Sequence, residues 1–146
     1  MRPIDTTLLA IASAREVLQP VQLQKSLFLF AAKVPKDVLP ADSRYQFKPY
    51  DYGPFSAEIY SDAETLEADG LVEIMKPPVT RYRQYSVTPQ GALVAQQIRE
   101  RENPSVVEYL SSLVAYTQSL GFNQLVASVY DEYPEMKVNS VFRGAA

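Results

Sequence analysis

The hydrophobic positions near the start of the chain follow the period of two helices. Leu8, Leu9 and Ile11 belong to an apolar stripe that predicts a first helix, capped by Asp5 or Thr6 and running to about residue 18. A second helix is predicted over 21–34, and it is apolar around most of its girth, which is typical of a central helix. Its positions clearly outside that apolar surface are Gln22, Gln24, Lys25 and Lys33.

Aromatic and polar residues alternate over 45–52, which is the period of a strand. Pro49 lacks an amide donor, so this segment is predicted to be an edge strand or an extended lead-in. The dipeptide Gly53-Pro54 that follows predicts the start of a third helix, with either Gly53 or Ser56 as its cap. Gly70 is a natural end for that helix.

Two short β-type runs follow, over 71–75 and 82–87, and a loop containing two prolines separates them. This pattern predicts a hairpin. Thr88 and Asn103 each precede a proline, and a cap followed by proline predicts a helix start at both places. These helices are expected to reach about residues 101 and 120, and Asn123 is predicted to cap a last helix to about residue 133.

The order of these elements predicts an α+β fold. A helix followed directly by a two-stranded hairpin is the order of a winged helix, with a three-helix core, a wing and added C-terminal helices. A length of 146 residues is that of one domain. We therefore expect a single domain, 1–146, in which 1–95 form the winged-helix-like core and 96–146 a helical C-terminal extension.

The composition excludes several classes of enzyme. The chain contains no Cys and no His, which removes disulfides, thiolate zinc sites, thiol nucleophiles and Ser-His chemistry. Its five glycines form no phosphate-binding loop. We expect no enzymatic activity, no cofactor and no metal. Since no segment has the length of a membrane span or the pattern of a secretory signal, we expect a cytoplasmic protein without membrane contact.

The formal net charge is -3, and it is unevenly spread. The third predicted helix carries acids that include Glu58 and Asp62, and no Lys or Arg lies between Asp51 and Met75. Such a helix would repel the phosphates of DNA. The acids are interpreted either as a solvated face or as a surface for a basic partner protein.

A small basic cluster lies on the predicted wing, at Lys76, Arg81 and Arg83. On a wing these side chains would grip phosphates, which makes a DNA-binding transcriptional regulator the alternative hypothesis. Lysine and proline at a hairpin tip also serve simply to block strand pairing. The acidic third helix disfavours DNA.

Aromatic residues suggest two surfaces. The turn before the third helix either serves only to start that helix, or presents Tyr50, Tyr52 and Phe55 to a partner, since aromatic rings are typical interface anchors. The last two helices are also rich in aromatic residues. These rings predict either core packing or the seam of a homodimer.

Four ordered motifs over about residues 20–95 resemble those of the SocA-like antitoxin (Panacea) proteins and their YwgA-like relatives. In this chain they read LQKSLFL at 23–29, YDYGPFSAEIY at 50–60, LEADGLV at 66–72 and YSVTPQG at 85–91. The resemblance implies a bacterial or phage protein that works by binding another protein, as an antitoxin or a proteolytic adaptor. The sequence after about residue 98 matches no motif of that family.

These observations together predict a non-catalytic interaction module. We expect Glu58 and Asp62, with the aromatic turn beside them, to dock on a partner protein such as a basic toxin and to occlude it.

Overall fold

A computed structural model describes residues 1–142 of the chain and gives an α+β fold. The last four residues of the predicted extension lie outside this range. No helix in the described part is both long and apolar enough to cross a bilayer. The helices are α1 (Pro3–Ser13), α2 (Pro20–Lys33), α3 (Ala57–Ala68), α4 (Pro89–Arg101), α5 (Pro104–Gln118) and α6 (Phe122–Glu132). The strands are β1 (Lys48–Tyr50), β2 (Gly53–Phe55), β3 (Val72–Met75) and β4 (Gln84–Val87).

The first helix differs from its prediction at both ends. It starts two residues before Asp5, whose carboxylate accepts a hydrogen bond from the Arg2 amide at 2.9 Å. It ends at Ser13, so the predicted extension to residue 18 is wrong. Leu18 instead forms an isolated bridge to Tyr85 of β4, with both backbone hydrogen bonds at 2.9 Å. Its apolar side chain fits the helical period but is buried by a strand.

The wing is the antiparallel pair β3–β4, in the register Val72↔Val87 and Ile74↔Tyr85. The Leu18 bridge adds a third segment along the other edge of β4. The predicted hairpin is thus confirmed, and with α1, α2 and α3 it forms a helical core with a wing. Glu67 of α3 ties the two parts together, because its carboxylate accepts a hydrogen bond from the Ile74 amide at 3.1 Å.

The segment after residue 48 folds differently from its prediction. β1 and β2 form a tight hairpin in which Tyr50 faces Gly53, so the interpretation of Gly53 as the cap of α3 is wrong. The alternative prediction, that Ser56 is the cap residue of α3, is right in position, since α3 begins at Ala57. Gln24 of α2 explains this arrangement. Its side-chain amide accepts from the Ser56 nitrogen at 2.9 Å and donates to the Ser56 carbonyl at 2.8 Å, as a neighbouring strand would.

The C-terminal helices α4 and α5 are packed against the N-terminal helices. α5 lies along α2 and also contacts α1, with the hydroxyls of Ser26 and Thr117 hydrogen bonded at 2.8 Å in the buried contact. The cap-then-proline starts of α4 and α5 are confirmed. The last helix is capped by Gly121, so the prediction of Asn123 as its cap is wrong.

After α6 the chain returns to the β1–β2 hairpin. A short 3-10 turn, Pro134–Lys137, is followed by residues that run back along the hairpin. The Val141 amide donates to the carbonyl of Asp51 at 2.9 Å, and the Asn139 side chain donates to the carbonyl of Pro49 at 3.3 Å. The hairpin is therefore held from two sides, by α2 and by this returning segment.

Candidate functional site

A groove of about 580 Å³ lies beside the β1–β2 hairpin. The first turns of α2, α3 and α6 and the segment just before β4 also line it. Its surface is mainly apolar, and backbone and side chains of both hairpin strands form one wall. Six aromatic residues line it: Tyr50, Tyr52, Phe55, Tyr60, Tyr82 and Phe122. We call this cavity the aromatic groove.

Five of the six rings of the aromatic groove pack against one another in two groups. Tyr50 stacks on Phe55 with ring centroids 4.9 Å apart, and Phe55 meets Tyr60 edge to face at 5.6 Å. On the other side Tyr52 meets the ring of Phe122 at 5.2 Å. Offset and edge-to-face pairs of this kind are favourable ring arrangements. They hold the rings in place even though Tyr50 is 54% exposed.

Lys25 lies at the base of the aromatic groove, with only 4% of its surface exposed. Its ammonium donates one long hydrogen bond, 3.3 Å, to the carbonyl of Pro54, and no carboxylate of the described residues pairs with it. Burial lowers the pKa of Lys25 from 10.5 to about 8, because desolvation disfavours the charged form. At neutral pH the groove therefore has a positive charge at its base.

Gly53 leaves the space that this ammonium occupies. Its φ of +111° is a conformation that other residues rarely adopt, and an added Cβ would lie 3.3 Å from Lys25 Nζ and 3.4 Å from the ring of Tyr130. Tyr130 lies behind this point with its hydroxyl buried and without a hydrogen-bond partner among the described residues. The Lys25 ammonium and the ring of Tyr130 thus both approach Gly53 closely.

The structure divides the five predicted partner-binding residues into two groups. Tyr50, Tyr52 and Phe55 all line the aromatic groove. Glu58 and Asp62 lie outside its lining.

The two acids have different surroundings. Glu58 is exposed, whereas Asp62 is half-buried and accepts a hydrogen bond from the Tyr45 hydroxyl at 2.7 Å. That hydroxyl is also bonded to Thr7 of α1, at 2.7 Å. Asp62 therefore has a structural role in joining α3 to the Tyr45 hydroxyl, in addition to any role as a surface charge.

The basic cluster on the wing is also divided. Lys76 and Arg81 are exposed near the tip, and the Arg81 guanidinium lies 5.4 Å from the ring centre of Tyr82. Arg83 instead forms an ion pair with Glu64 of α3 at 3.5 Å. Within residues 1–142, no group of three or more acidic side chains is placed to hold a metal ion.

The aromatic residues of the last two helices have separate environments. Tyr130 is buried, and Tyr133 packs edge to face on Phe28 at 4.8 Å. Tyr116 is exposed and hydrogen bonds to Ser128 at 2.8 Å. Some of these rings therefore lie in the core and others lie on the surface. The homodimer through the C-terminal helices stays a prediction.

Sequence reasoning missed Lys25, which was predicted to lie outside the apolar surface of α2. The same error was made for Gln24, which is 2% exposed. A signal was present, because a helix that is apolar around most of its girth is enclosed by other elements. Polar residues on such a helix are then enclosed too, and they need partners or a function.

This chain matches none of the protein-family models and none of the curated proteins with which it was compared.

Proposed function

We propose that this chain is a non-catalytic module that binds a partner protein through the aromatic groove. The observation that carries the proposal is a preformed cavity lined by aromatic rings that pack against one another in two groups and are partly exposed. Aromatic side chains in such positions are the usual anchors of protein interfaces. Monomeric proteins seldom expose apolar surface of this kind without a binding role.

The mode of action we propose is that of an antitoxin or proteolytic adaptor, as the resemblance of residues 20–95 implies. The chain would bind its partner and block part of the partner's surface. Glu58 follows the hairpin directly and is exposed, so it adds negative charge next to the groove. A basic toxin fits this charge, and Glu58 would contact it outside the groove.

The absence of Cys and His from the sequence supports a role without catalysis. The remaining ionisable groups of the groove are Lys25, Asp51 and the tyrosines, and no hydrogen bond or ion pair among the described residues joins two of their side chains in a way that would activate a nucleophile. We therefore propose binding rather than turnover as the activity to measure.

Replacing Tyr50 and Tyr52 together with alanine is expected to weaken partner binding at least ~30-fold, since two anchor rings would be lost. A photo-crosslinking amino acid at position 52 would first identify the partner in the cells of origin. Titration of that purified partner then measures the affinity. The control is Leu93→Ala, because Leu93 is a comparably exposed apolar residue, at 64%, on α4 outside the groove. Equal affinity of the double variant and the control would contradict the proposal.

A DNA-binding regulator is the second candidate, and the exposed Lys76 and Arg81 on the wing favour it. Against it, Arg83 is already paired with Glu64, and α3 exposes acids where a recognition helix meets phosphates.

We expect no binding of a mixed-sequence DNA duplex even at low salt, measured by fluorescence anisotropy during a salt titration. The matched variant is Lys76→Ala with Arg81→Ala, which removes the two exposed charges. If the wild-type protein binds DNA with a steep salt dependence and this variant does not, the regulator replaces the protein-binding module.

A further inference from the structure

Among the described residues no carboxylate pairs with the Lys25 ammonium, and Asp51, the acidic residue that lines the groove, forms no ion pair with it. A buried ammonium is normally paired with a carboxylate and uses its three donors in hydrogen bonds. Within the described residues Lys25 donates a single hydrogen bond, to the carbonyl of Pro54, and it is long at 3.3 Å. The other lysine of the same helix, Lys33, is exposed and is nevertheless paired, with Glu132. Lys25 is thus complementary to an anion that enters the groove from outside.

The walls around this charge restrict what the anion can belong to. The aromatic groove presents mainly apolar surface and ring faces, and Gly53 lies so close to Lys25 that an added Cβ would come within 3.3 Å of Nζ. A carboxylate is small enough to reach the ammonium, and apolar or aromatic groups beside it would contact the walls. A nucleic acid fits poorly, since it would need several cations for its phosphates.

The rim indicates that the occupant extends beyond the cavity. Tyr50 of β1 and Tyr82, which precedes β4, both line the cavity and are each 54% exposed. A small molecule is usually buried for most of its surface in its pocket. A length of polypeptide would cover these two rings as well as fill the cavity.

We propose that the aromatic groove binds a segment of the partner protein in which a carboxylate lies next to apolar or aromatic residues, and that this carboxylate pairs with Lys25. The inference rests on the proposed function and makes it more specific. The carboxylate is either that of Asp or Glu within the segment or that of a free C-terminus. The ion pair forms inside the groove, where water is excluded, so losing either charge leaves the other buried and unpaired.

The test uses the full chain and two displayed libraries of short random peptides, one internal and one ending in a free C-terminus. We expect the enriched peptides to share a carboxylate beside apolar residues. Synthetic versions should bind at least ~30-fold more weakly to Lys25→Met than to the wild type. The matched control is Lys33→Met, which removes the same charge from α2 outside the groove and should bind like the wild type.

A second measurement does not depend on how the variant folds. In the enriched peptide, Asp→Asn or Glu→Gln, or amidation of the C-terminus, should weaken binding to the wild-type protein by a similar factor. The arm that responds shows which carboxylate is used.

The possible failures are distinguishable. Peptides that lack a carboxylate and bind Lys25→Met as well as the wild type would overturn this inference and leave the proposed function standing. No enrichment, with the Tyr50 and Tyr52 double variant binding the crosslinked partner normally, would overturn both. If phenylbutyrate binds as tightly as the best peptide, the ligand of the groove is a small carboxylate and not a protein segment, and this inference is overturned.

Discussion

Lys25→Met is expected to make the protein more stable while it weakens peptide binding in the groove at least ~30-fold. Burial lowers the pKa of Lys25 from 10.5 to about 8, so holding the ammonium in the fold costs about 3 kcal/mol at neutral pH. Methionine has a similar length, fits irregular apolar space and carries no charge. We expect the variant to gain about 1–3 kcal/mol in free energy of unfolding, measured by urea denaturation at pH 7.

The pH dependence of this gain identifies its cause. The pKa of Lys25 is lower in the folded than in the unfolded state, so the unfolded chain binds more protons between about pH 8 and 10.5. The wild type therefore gains stability from this residue as the pH rises through that range. The advantage of Lys25→Met should shrink accordingly, and comparing the two proteins isolates this residue because all other groups titrate in both.

A stability loss in Lys25→Met at every pH would show that the ammonium is already satisfied inside the fold. A gain that does not change between pH 7 and 10 would show that packing, and not charge, is responsible. Either result would remove the main support for an anion site.

Gly91→Ala is expected to destabilise the fold by about 3 kcal/mol or more. Gly91 lies in the first turn of α4, and its amide donates to the Thr88 cap at 3.0 Å. An added Cβ would lie 1.8 Å from the carbonyl oxygen of Leu71, which itself accepts a hydrogen bond from the Thr88 amide at 3.1 Å. The start of α4 and the entry to β3 would have to separate, and the wing would lose its anchor.

Two other glycines provide graded controls for this variant. Gly121→Ala meets nothing closer than 3.8 Å and keeps an ordinary φ, so we expect a loss below about 1 kcal/mol. Gly70→Ala has open space around it but a φ of +76°, which predicts an intermediate loss of about 1–2 kcal/mol. Thermal unfolding of the three variants checks the order. Gly91→Ala behaving like Gly121→Ala would mean that the α4–β3 contact is loose.

Much of the fold was predictable because its signals are local. Thr88 and Asn103 each cap a helix that begins at a proline, and both side chains accept the expected backbone hydrogen bonds, from Gly91 and Ser105. A cap and the turn it starts are neighbours in sequence, so the pattern contains the whole interaction. The same holds for the wing hairpin, whose strands alternate with their own period.

The errors occur where a distant segment decides the structure. Leu18 has the spacing of a helical core residue, but β4, which is far along the chain, pairs with its backbone. Gln24 and Lys25 are polar and were placed outside the apolar surface of α2, yet the hairpin at 48–55 covers both. A hydrophobic pattern classifies each residue by type and contains no information on what folds over it.

The candidate site was predictable in part. Three of its rings, Tyr50, Tyr52 and Phe55, lie in one short segment that reads as unusual by itself. Tyr82 and Phe122 join them from the wing and from the start of α6, and no local signal connects these positions. The base of the groove was missed because a lysine between polar neighbours, here Gln24 and Ser26, is ordinarily exposed.

The packing of α5 on α2 also affects how the protein is made at the ribosome. The apolar surface of α2 that packs against α5 stays uncovered by that helix until the chain has been extended from Lys33 to at least Pro104. At the usual rate of about 5–20 residues per second, this interval lasts roughly 4–14 s. During that time the nascent chain exposes the face of α2 that α5 later covers, and a chaperone that binds short apolar segments has a defined target on it.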